Sequence, residues 1–145
     1  MSNETKRWAV IRGQEIKEIL KKPPTKGKKH LEPLKSRFIA GEIPFGIMED
    51  SEIAETESEI HKHEGDLWFC LEGEPEFICG GELISQRARD GSDGKELYGT
   101  GIEGGEKIVL FAGDWLWIPA GVPHLHRAVG TSRLIIIKLP SERGI

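Results

Sequence analysis

Residues 61–73 read HKHEGDLWFCLEG: two histidines one residue apart, an aspartate, an apolar run and a glycine. In a β-strand, residues i and i+2 point to the same face, so His61 and His63 are predicted to share one face. Both imidazoles would then reach the same ion. Asp66 opens the apolar strand that follows and returns a carboxylate to their side. The stretch therefore predicts a cation site at the junction of two strands.

Residues 113–124 form a second informative stretch and read GDWLWIPAGVPH. Gly113 and Asp114 predict a turn, and a short apolar strand follows. Pro119 and Gly121 predict another turn, after which His124 opens the next strand. Each stretch alone is a weak signal, because histidine pairs and proline–glycine turns are common. Together, on a chain of many short strands, they indicate one metal site with a third imidazole from His124.

The two stretches resemble the two conserved motifs of the cupin superfamily. The first motif of that family is HxH, three or four residues, Glu, six residues and Gly. The second is Gly, five residues, PxG, two residues, His, three residues and Asn. The second stretch matches through Gly113, Pro119, Gly121 and His124, whereas Ala128 stands at the Asn position. The resemblance covers roughly residues 37–139.

This resemblance implies an all-β fold, an antiparallel double-stranded β-helix of the jelly-roll or cupin-barrel type, with one metal ion inside. Counting back six residues from Gly73 reaches Asp66, where the family has Glu. Glu64 is the alternative fourth ligand, although its position predicts an exposed turn. The imidazole ligands implied by the resemblance are His61, His63 and His124.

Two further residues are candidate catalytic groups. His126 lies two positions after His124, so it shares a face with His124 if the strand is regular. It is predicted to be a nitrogen near the metal, a general acid or base, or a hydrogen-bonded core histidine. Glu59 shares the parity of His61 and is a candidate base facing the substrate. Because Glu55 and Glu57 share that parity too, a solvated acidic face is the alternative for Glu59.

The rest of the chain predicts a short N-terminal helix followed by strands. Helical spacing of apolar residues predicts a helix over residues 14–22, which Pro23 ends. A Lys-rich loop is expected at residues 25–29, and an edge strand, suited to exchange in a homodimer, at 8–11. We assign residues 1–36 to a basic N-terminal arm and residues 37–145 to the β-domain. Its predicted strands are 37–40, 45–49, 57–63, 66–71, 76–79, 83–89, 96–102, 107–111, 115–118, 124–129 and 133–139.

Composition narrows the possible partners. Residues 1–37 carry 11 Lys or Arg against 4 Asp or Glu, and residues 38–74 carry 1 against 11. The basic arm lacks interleaved aromatic residues, so no nucleic-acid partner is expected. No apolar run approaches the roughly 20 residues that span a bilayer, and the N-terminus does not resemble a signal peptide. We therefore expect a cytoplasmic protein with no membrane partner.

Imidazole and carboxylate ligands suit one divalent transition metal such as Fe, Mn, Zn, Ni or Co. The leading hypothesis is a metal-dependent enzyme for a small organic acid, either a dioxygenase or an isomerase or lyase. The alternatives are a cupin that binds or senses a small molecule around a structural metal, and a structural cupin with a vestigial site. Fold alone does not distinguish these hypotheses.

Overall fold

The computed structural model describes residues 7–54 and 56–141. Two short helices and twelve strands make up this part of the chain. The helices are α1 (Gly13–Leu20) and α2 (Leu34–Ile39). The strands are β1 (Gly27–His30), β2 (Phe45–Ile53), β3 (Ser58–His61), β4 (Glu64–Glu72), β5 (Glu76–Cys79), β6 (Glu82–Leu83), β7 (Arg87–Ala88), β8 (Glu96–Gly99), β9 (Ile102–Glu103), β10 (Glu106–Val109), β11 (Trp115–Ile118) and β12 (His124–Pro140).

The strands pair in antiparallel fashion and form two layers that share β12. The C-terminal half of β12 lies between β2 and β4, and β1 and β11 extend this first layer on either side. The N-terminal end of β12 lies between β5 and β3, and β10, β8 and β7 extend the second layer. The short strands β6 and β9 form a separate hairpin ladder.

A bulge lets β12 serve both layers. The register between β12 and β2 shifts between Ala128 and Thr131, and Val129 within this interval is 90% exposed. Extra residues in one strand bend it and increase its twist. The bend therefore directs the two halves of β12 into different layers.

The main core lies between the layers. Trp68 from β4 packs edge-on against Phe77 from β5, with ring centroids 5.3 Å apart. Both side chains are buried in one apolar cluster that also contains Met48, Cys70, Leu110, Ile118, Leu134 and Ile136. Period-two alternation in β4 and β12 directs these residues inward. The interior is therefore apolar up to the polar group described below.

Both helices cover the outer side of the first layer. Ile19 of α1 and Leu34 of α2 join a second buried cluster with Ile47 of β2. The buried Arg133 guanidinium donates to the backbone carbonyls of Leu20 and Lys22 at the end of α1. Cationic donors stabilise the free carbonyls at a helix C-terminus. The N-terminal region is thereby attached to β12.

The all-β antiparallel class and the short N-terminal helix are confirmed. The strand predicted at 37–40 is wrong because Leu34 and Phe38, one helical turn apart, pack the helix α2 against the second cluster. The predicted domain boundary at residues 36–37 falls inside that helix. Within the described chain, no helix has the length and hydrophobicity that a bilayer-spanning segment requires.

Two further expectations for the N-terminal region are also wrong. Residues 8–11 form no strand, and Trp8 is 89% exposed. The expected Lys-rich loop is instead largely strand β1. Lys28 and Lys29 lie opposite Asp50 and Glu49 of β2, and opposite charges on facing residues favour strand pairing.

Substitution of Gly73 tests the packing of the β4 turn on β12. Gly73 has φ +86°, and an added Cβ would lie 2.4 Å from the Thr131 carbonyl oxygen. We expect Gly73→Ala to lower the free energy of unfolding by about 3 kcal/mol, from backbone strain plus steric overlap. Gly80 has the same φ but no atom within 4 Å of an added Cβ. Gly80→Ala is the control and should cost about 1 kcal/mol in urea denaturation. Equal losses would contradict this packing argument.

Candidate metal centre

Strand β3 supplies the first two polar groups. Glu59 and His61 alternate along it and point into the space between the layers. His61 is 8% exposed, and one Glu59 carboxylate oxygen lies 3.4 Å from its Nε2. The strand is held between β8 and the first residue of β12, because Glu59 pairs with Tyr98 on one side and with His124 on the other.

His124 completes a compact group. It is 4% exposed, and its ring centroid lies 5.0 Å from that of His61. One ligand atom each of Glu59, His61 and His124 falls within 4.8 Å of the others. The turn at residues 119–121 positions His124, because the Gly121 amide donates to the His61 carbonyl. The two distant stretches of the sequence therefore meet.

Asp66 reaches the same point from the opposite layer. It is 2% exposed, and its Oδ2 lies 3.5 Å from the Nε2 atoms of both His61 and His124. Its Oδ1 accepts a hydrogen bond of 2.7 Å from Lys138. Lys138 thus holds Oδ1 of Asp66, while Oδ2 is directed at the two imidazoles.

The other nitrogen of each imidazole also has an acceptor. The Nδ1 of His61 lies 2.5 Å from a Glu96 carboxylate oxygen, and the Nδ1 of His124 lies 3.0 Å from the Val122 carbonyl oxygen. With Nδ1 as the donor, both Nε2 atoms offer a lone pair to the interior. This arrangement of imidazole and hydrogen-bond acceptor is typical of metal-ligating histidines.

Burial and neighbouring charges shift the pKa values of these groups. Burial raises the pKa of Asp66, but the His61 imidazole and the Lys138 ammonium outweigh it and lower the pKa to about 2. Burial lowers the pKa of His61, but the Asp66 and Glu96 carboxylates outweigh it and raise the pKa overall. Burial lowers the pKa of His124 below its ordinary value. The pKa values of the two imidazoles that face Asp66 are therefore shifted in opposite directions.

The spacing of these atoms fits a metal ion. Nitrogen and oxygen ligands lie about 2.0–2.2 Å from a bound zinc ion, so ligands on adjacent tetrahedral positions are about 3.3–3.6 Å apart. The separations of 3.4 and 3.5 Å at His61 and the separation of 3.5 Å at His124 lie in that range. Two imidazoles and carboxylates are also a donor set that divalent transition metals accept.

His63 is not brought into this group. Strand β3 ends at His61, and residues 62–63 form an exposed bend. The prediction that His61 and His63 share a strand face is therefore wrong. Glu64, the alternative to Asp66, lies at the half-exposed start of β4, 3.9 Å from the Lys138 ammonium. Of these two carboxylates, Asp66 is the one that faces the imidazoles.

The spacing of the first motif explains the shift. Four residues separate His61 from Asp66, and six separate Asp66 from Gly73. Both intervals match the cupin pattern once His61 takes the place of the second histidine. Glu59 then occupies the place of the first histidine. The His61–His63 pair imitates the first motif and so led to the wrong register. The signal against it was the interval from His63 to Asp66, which is one residue too short for the motif.

His126 faces the interior, as its spacing from His124 predicts, and it forms a buried pair with Asp50. Its Nδ1 lies 2.5 Å from Asp50 Oδ2, and the two residues are 4% and 0% exposed. The ring also packs against Trp68 and Phe77, with centroids 5.2 and 5.3 Å away. Asp50, Glu96 and Lys138 could not be located from the sequence, because only the pairing of distant strands brings them to this site.

A cavity of about 260 Å³ adjoins the cluster. Its walls come from both layers. They are formed by Lys28, Lys29, His30, Met48, Glu59, His61, Asp66, Trp68, His124, His126, Ile136 and Lys138. This volume lies just below the range of about 300–1,000 Å³ that is common for drug-sized ligands, so it suits a small molecule.

Two antiparallel layers share one strand, and both cupin-like stretches meet between them at the intervals of the family pattern. The chain has a cupin-type fold. The predicted resemblance is thus confirmed at the level of the fold. No protein-family model matches the sequence, and no curated protein matches it significantly.

Several solved structures are similar to this cupin-type domain. The Drosophila melanogaster CENP-C cupin domain is 16% identical with a TM-score of 0.49, over 68% of this chain and 58% of that one. A predicted oxalate decarboxylase from Thermotoga maritima is 15% identical with a TM-score of 0.49, over 78% of each chain. A recombinant oxalate oxidase in complex with glycolate is 18% identical with a TM-score of 0.46, over 69% of this chain and 43% of that one. The chain therefore spans well under two thirds of the CENP-C and oxalate oxidase chains.

The opposite pKa shifts of the two imidazoles give a direct test of the cluster. In metal-free protein at pH 6.5, we expect His61 to be mostly protonated and His124 mostly neutral, measured by NMR titration of the ring nitrogens. Glu96→Gln should lower the pKa of His61, because it removes one of the three carboxylates that face this imidazole. Deprotonation of His61 at a lower pH than His124 would refute this electrostatic description.

Proposed function

We propose that this cupin-type domain is a metal-dependent enzyme acting on a small organic anion. Its centre is one divalent transition metal ion held by His61 and His124, with Glu59 and Asp66 as carboxylate ligands. The observation that carries the proposal is the convergence of both Nε2 atoms with carboxylate oxygens from two layers at 3.4–3.5 Å. In this proposal Glu59 is a ligand rather than the base considered from the sequence.

The bound ion supplies Lewis acidity towards substrate oxygens or, as iron, reactivity towards O2. Iron therefore favours a dioxygenase, whereas Mn, Zn or Ni favours an isomerase or lyase. The protein's contribution is to fix the ligands. Glu96 and Val122 orient the imidazoles, and Lys138 holds Asp66 in place. Such outer partners change metal affinity by about 10–100-fold when removed.

The cavity excludes bulk water on its apolar side. Met48, Trp68 and Ile136 line it, and each is at most 6% exposed. A low-polarity wall strengthens the electrostatic interactions of a bound anion with the centre. The ligand anion is therefore held by few, strong polar contacts.

His126 is the proposed proton carrier. Asp50 accepts its Nδ1–H, which leaves Nε2 as the nitrogen available to a substrate in the cavity. A positioned imidazole that takes or gives a proton typically contributes 10²–10⁴-fold to a rate. Its partner Asp50 is fully buried and does not line the cavity, so its proposed part is to fix the orientation of the His126 ring.

Metal binding by single variants tests the centre. His61→Ala and His124→Ala should each weaken binding of Mn²⁺ or Zn²⁺ at least 100-fold, because each removes a direct ligand. His63→Ala is the matched control and should bind as the unmodified protein does, since His63 lies in the exposed bend. The measurements are elemental analysis of protein purified without added metal and calorimetric titration. Equal losses in His61→Ala and His63→Ala, or no binding to the unmodified protein, would overturn the centre.

Turnover by metal-loaded protein tests the enzymatic role. We expect product formation from small organic acids, with oxygen consumption when the metal is iron. His126→Gln should lower kcat about 100-fold or more while retaining the metal, because the proton carrier is lost. Glu64→Gln serves as control and should leave kcat unchanged. Tight binding of an acid without turnover by any loaded form would instead identify a binding or sensing module.

A further inference from the structure

The edge strand β1 contributes positive charge to the cavity. Lys28 and His30 lie opposite Asp50 and Met48 of β2, two residues that face the interior. Side chains of paired residues point to the same face, so Lys28 and His30 lie on the cavity side of β1, where His30 is half-buried and Lys28 is exposed at the cavity edge. Lys29 alternates with them, and its ammonium bonds to Glu49 on the other face. Lys28 has no carboxylate within ion-pair distance among residues 7–54 and 56–141.

A second cation belongs to the same wall. Lys138 donates one hydrogen bond to Asp66, and an ammonium group has three donors. A Glu64 carboxylate oxygen lies 3.9 Å from this ammonium, beyond hydrogen-bond distance, so within the described residues the remaining donors are available to a ligand in the cavity. Burial lowers the pKa of His30, and the charges of Lys28, Lys138 and Lys35 lower it further, so the electrostatic potential at His30 is positive. An anion in this part of the cavity therefore meets two cations.

The apolar wall adds an unused donor. Trp68 lines the cavity and is 3% exposed, and its indole Nε1 has no hydrogen-bond partner within the described residues. Leaving a buried donor unpaired costs about 1–3 kcal/mol, so such groups usually serve a ligand or an ordered water. A carboxylate oxygen is an acceptor that Trp68 and the two lysines can share.

We propose that the β1 side of the cavity binds a second carboxylate, and that the substrate class is therefore small dicarboxylates. Lys28, Lys138 and the Trp68 indole nitrogen hold one carboxylate, while the other is directed to the His61–His124 centre. The part played by that centre rests on the proposed function. The volume of about 260 Å³ limits the ligand to a short diacid.

Calorimetric titration of metal-loaded protein with acids of matched length tests this subsite. Succinate, glutarate and adipate are compared with butyrate, pentanoate and hexanoate. We expect at least one diacid to bind about tenfold or more tightly than its monoacid, as one charged hydrogen-bonded contact provides. Lys28→Gln should abolish that preference and leave metal content and thermal stability unchanged. Lys26→Gln, an exposed neighbour that does not line the cavity, is the control and should keep the preference.

The Trp68→Phe variant removes the indole N–H donor and keeps an aromatic ring. It keeps the aromatic packing on Phe77 and should weaken diacid binding several-fold. A loaded protein without diacid preference, or a preference unchanged in Lys28→Gln, overturns the subsite and leaves the proposed metal centre standing. If no metal binds, the proposed function fails, and succinate titration of the metal-free protein decides the subsite. Loss of succinate binding in metal-free Lys28→Gln then supports the subsite. Equal succinate binding by Lys28→Gln and the unmodified protein refutes it.

Discussion

The bent strand β12 is the constraint on which the rest of the structure depends. Its N-terminal end carries His124 and His126 in one layer, and its C-terminal half carries Lys138 in the other. Pairing to four other strands fixes the distance between these halves. Asp66 lies directly opposite Lys138 in the β4–β12 ladder, so the same register positions both. Candidate metal ligands from separate layers are thus aligned by main-chain hydrogen bonds.

The polar cluster of Glu59, His61, Asp66 and His124 is costly to bury, and its members contact one another. An isolated carboxylate as buried as Asp66 would be strongly destabilising, but two imidazoles and an ammonium surround it. In the metal-free protein, the neighbouring carboxylates raise the pKa of His61 and so favour its protonated form, whose positive charge replaces part of the charge that an ion would supply. Metal binding would then displace that proton, as it generally does when a ligand histidine must be neutral. Charge balance, more than shape, sets what this interior accepts.

Much of the fold and part of the centre could be predicted from the sequence, for physical reasons that differ between residues. His124 follows a proline–glycine turn at a fixed interval, and Asp66 lies at a fixed interval from Gly73, so both could be located by counting. The placement of His63 failed because strand ends are not visible in a repeated His-x-His pattern. The strand β3 ends at His61, two residues before His63.

The remaining groups depend on contacts between distant parts of the chain. Glu96 meets His61 only through the register of β8 on β3, and Asp50 meets His126 across the two layers. The lysines of β1 looked like a solvated loop, because their acidic partners lie on β2 and no local pattern links the two segments. Local spacing therefore locates ligands along one strand, whereas long-range pairing brings in the groups that orient them and the cations beside them.

The tight fit of Gly73 against Thr131 and Ser132 has an evolutionary consequence. It anchors the end of β4, so the number of residues between Asp66 and this anchor determines which face Asp66 occupies. A single-residue insertion or deletion there would turn the carboxylate outward. Descendants of this sequence are therefore expected to keep the number of residues between Asp66 and Gly73 unchanged.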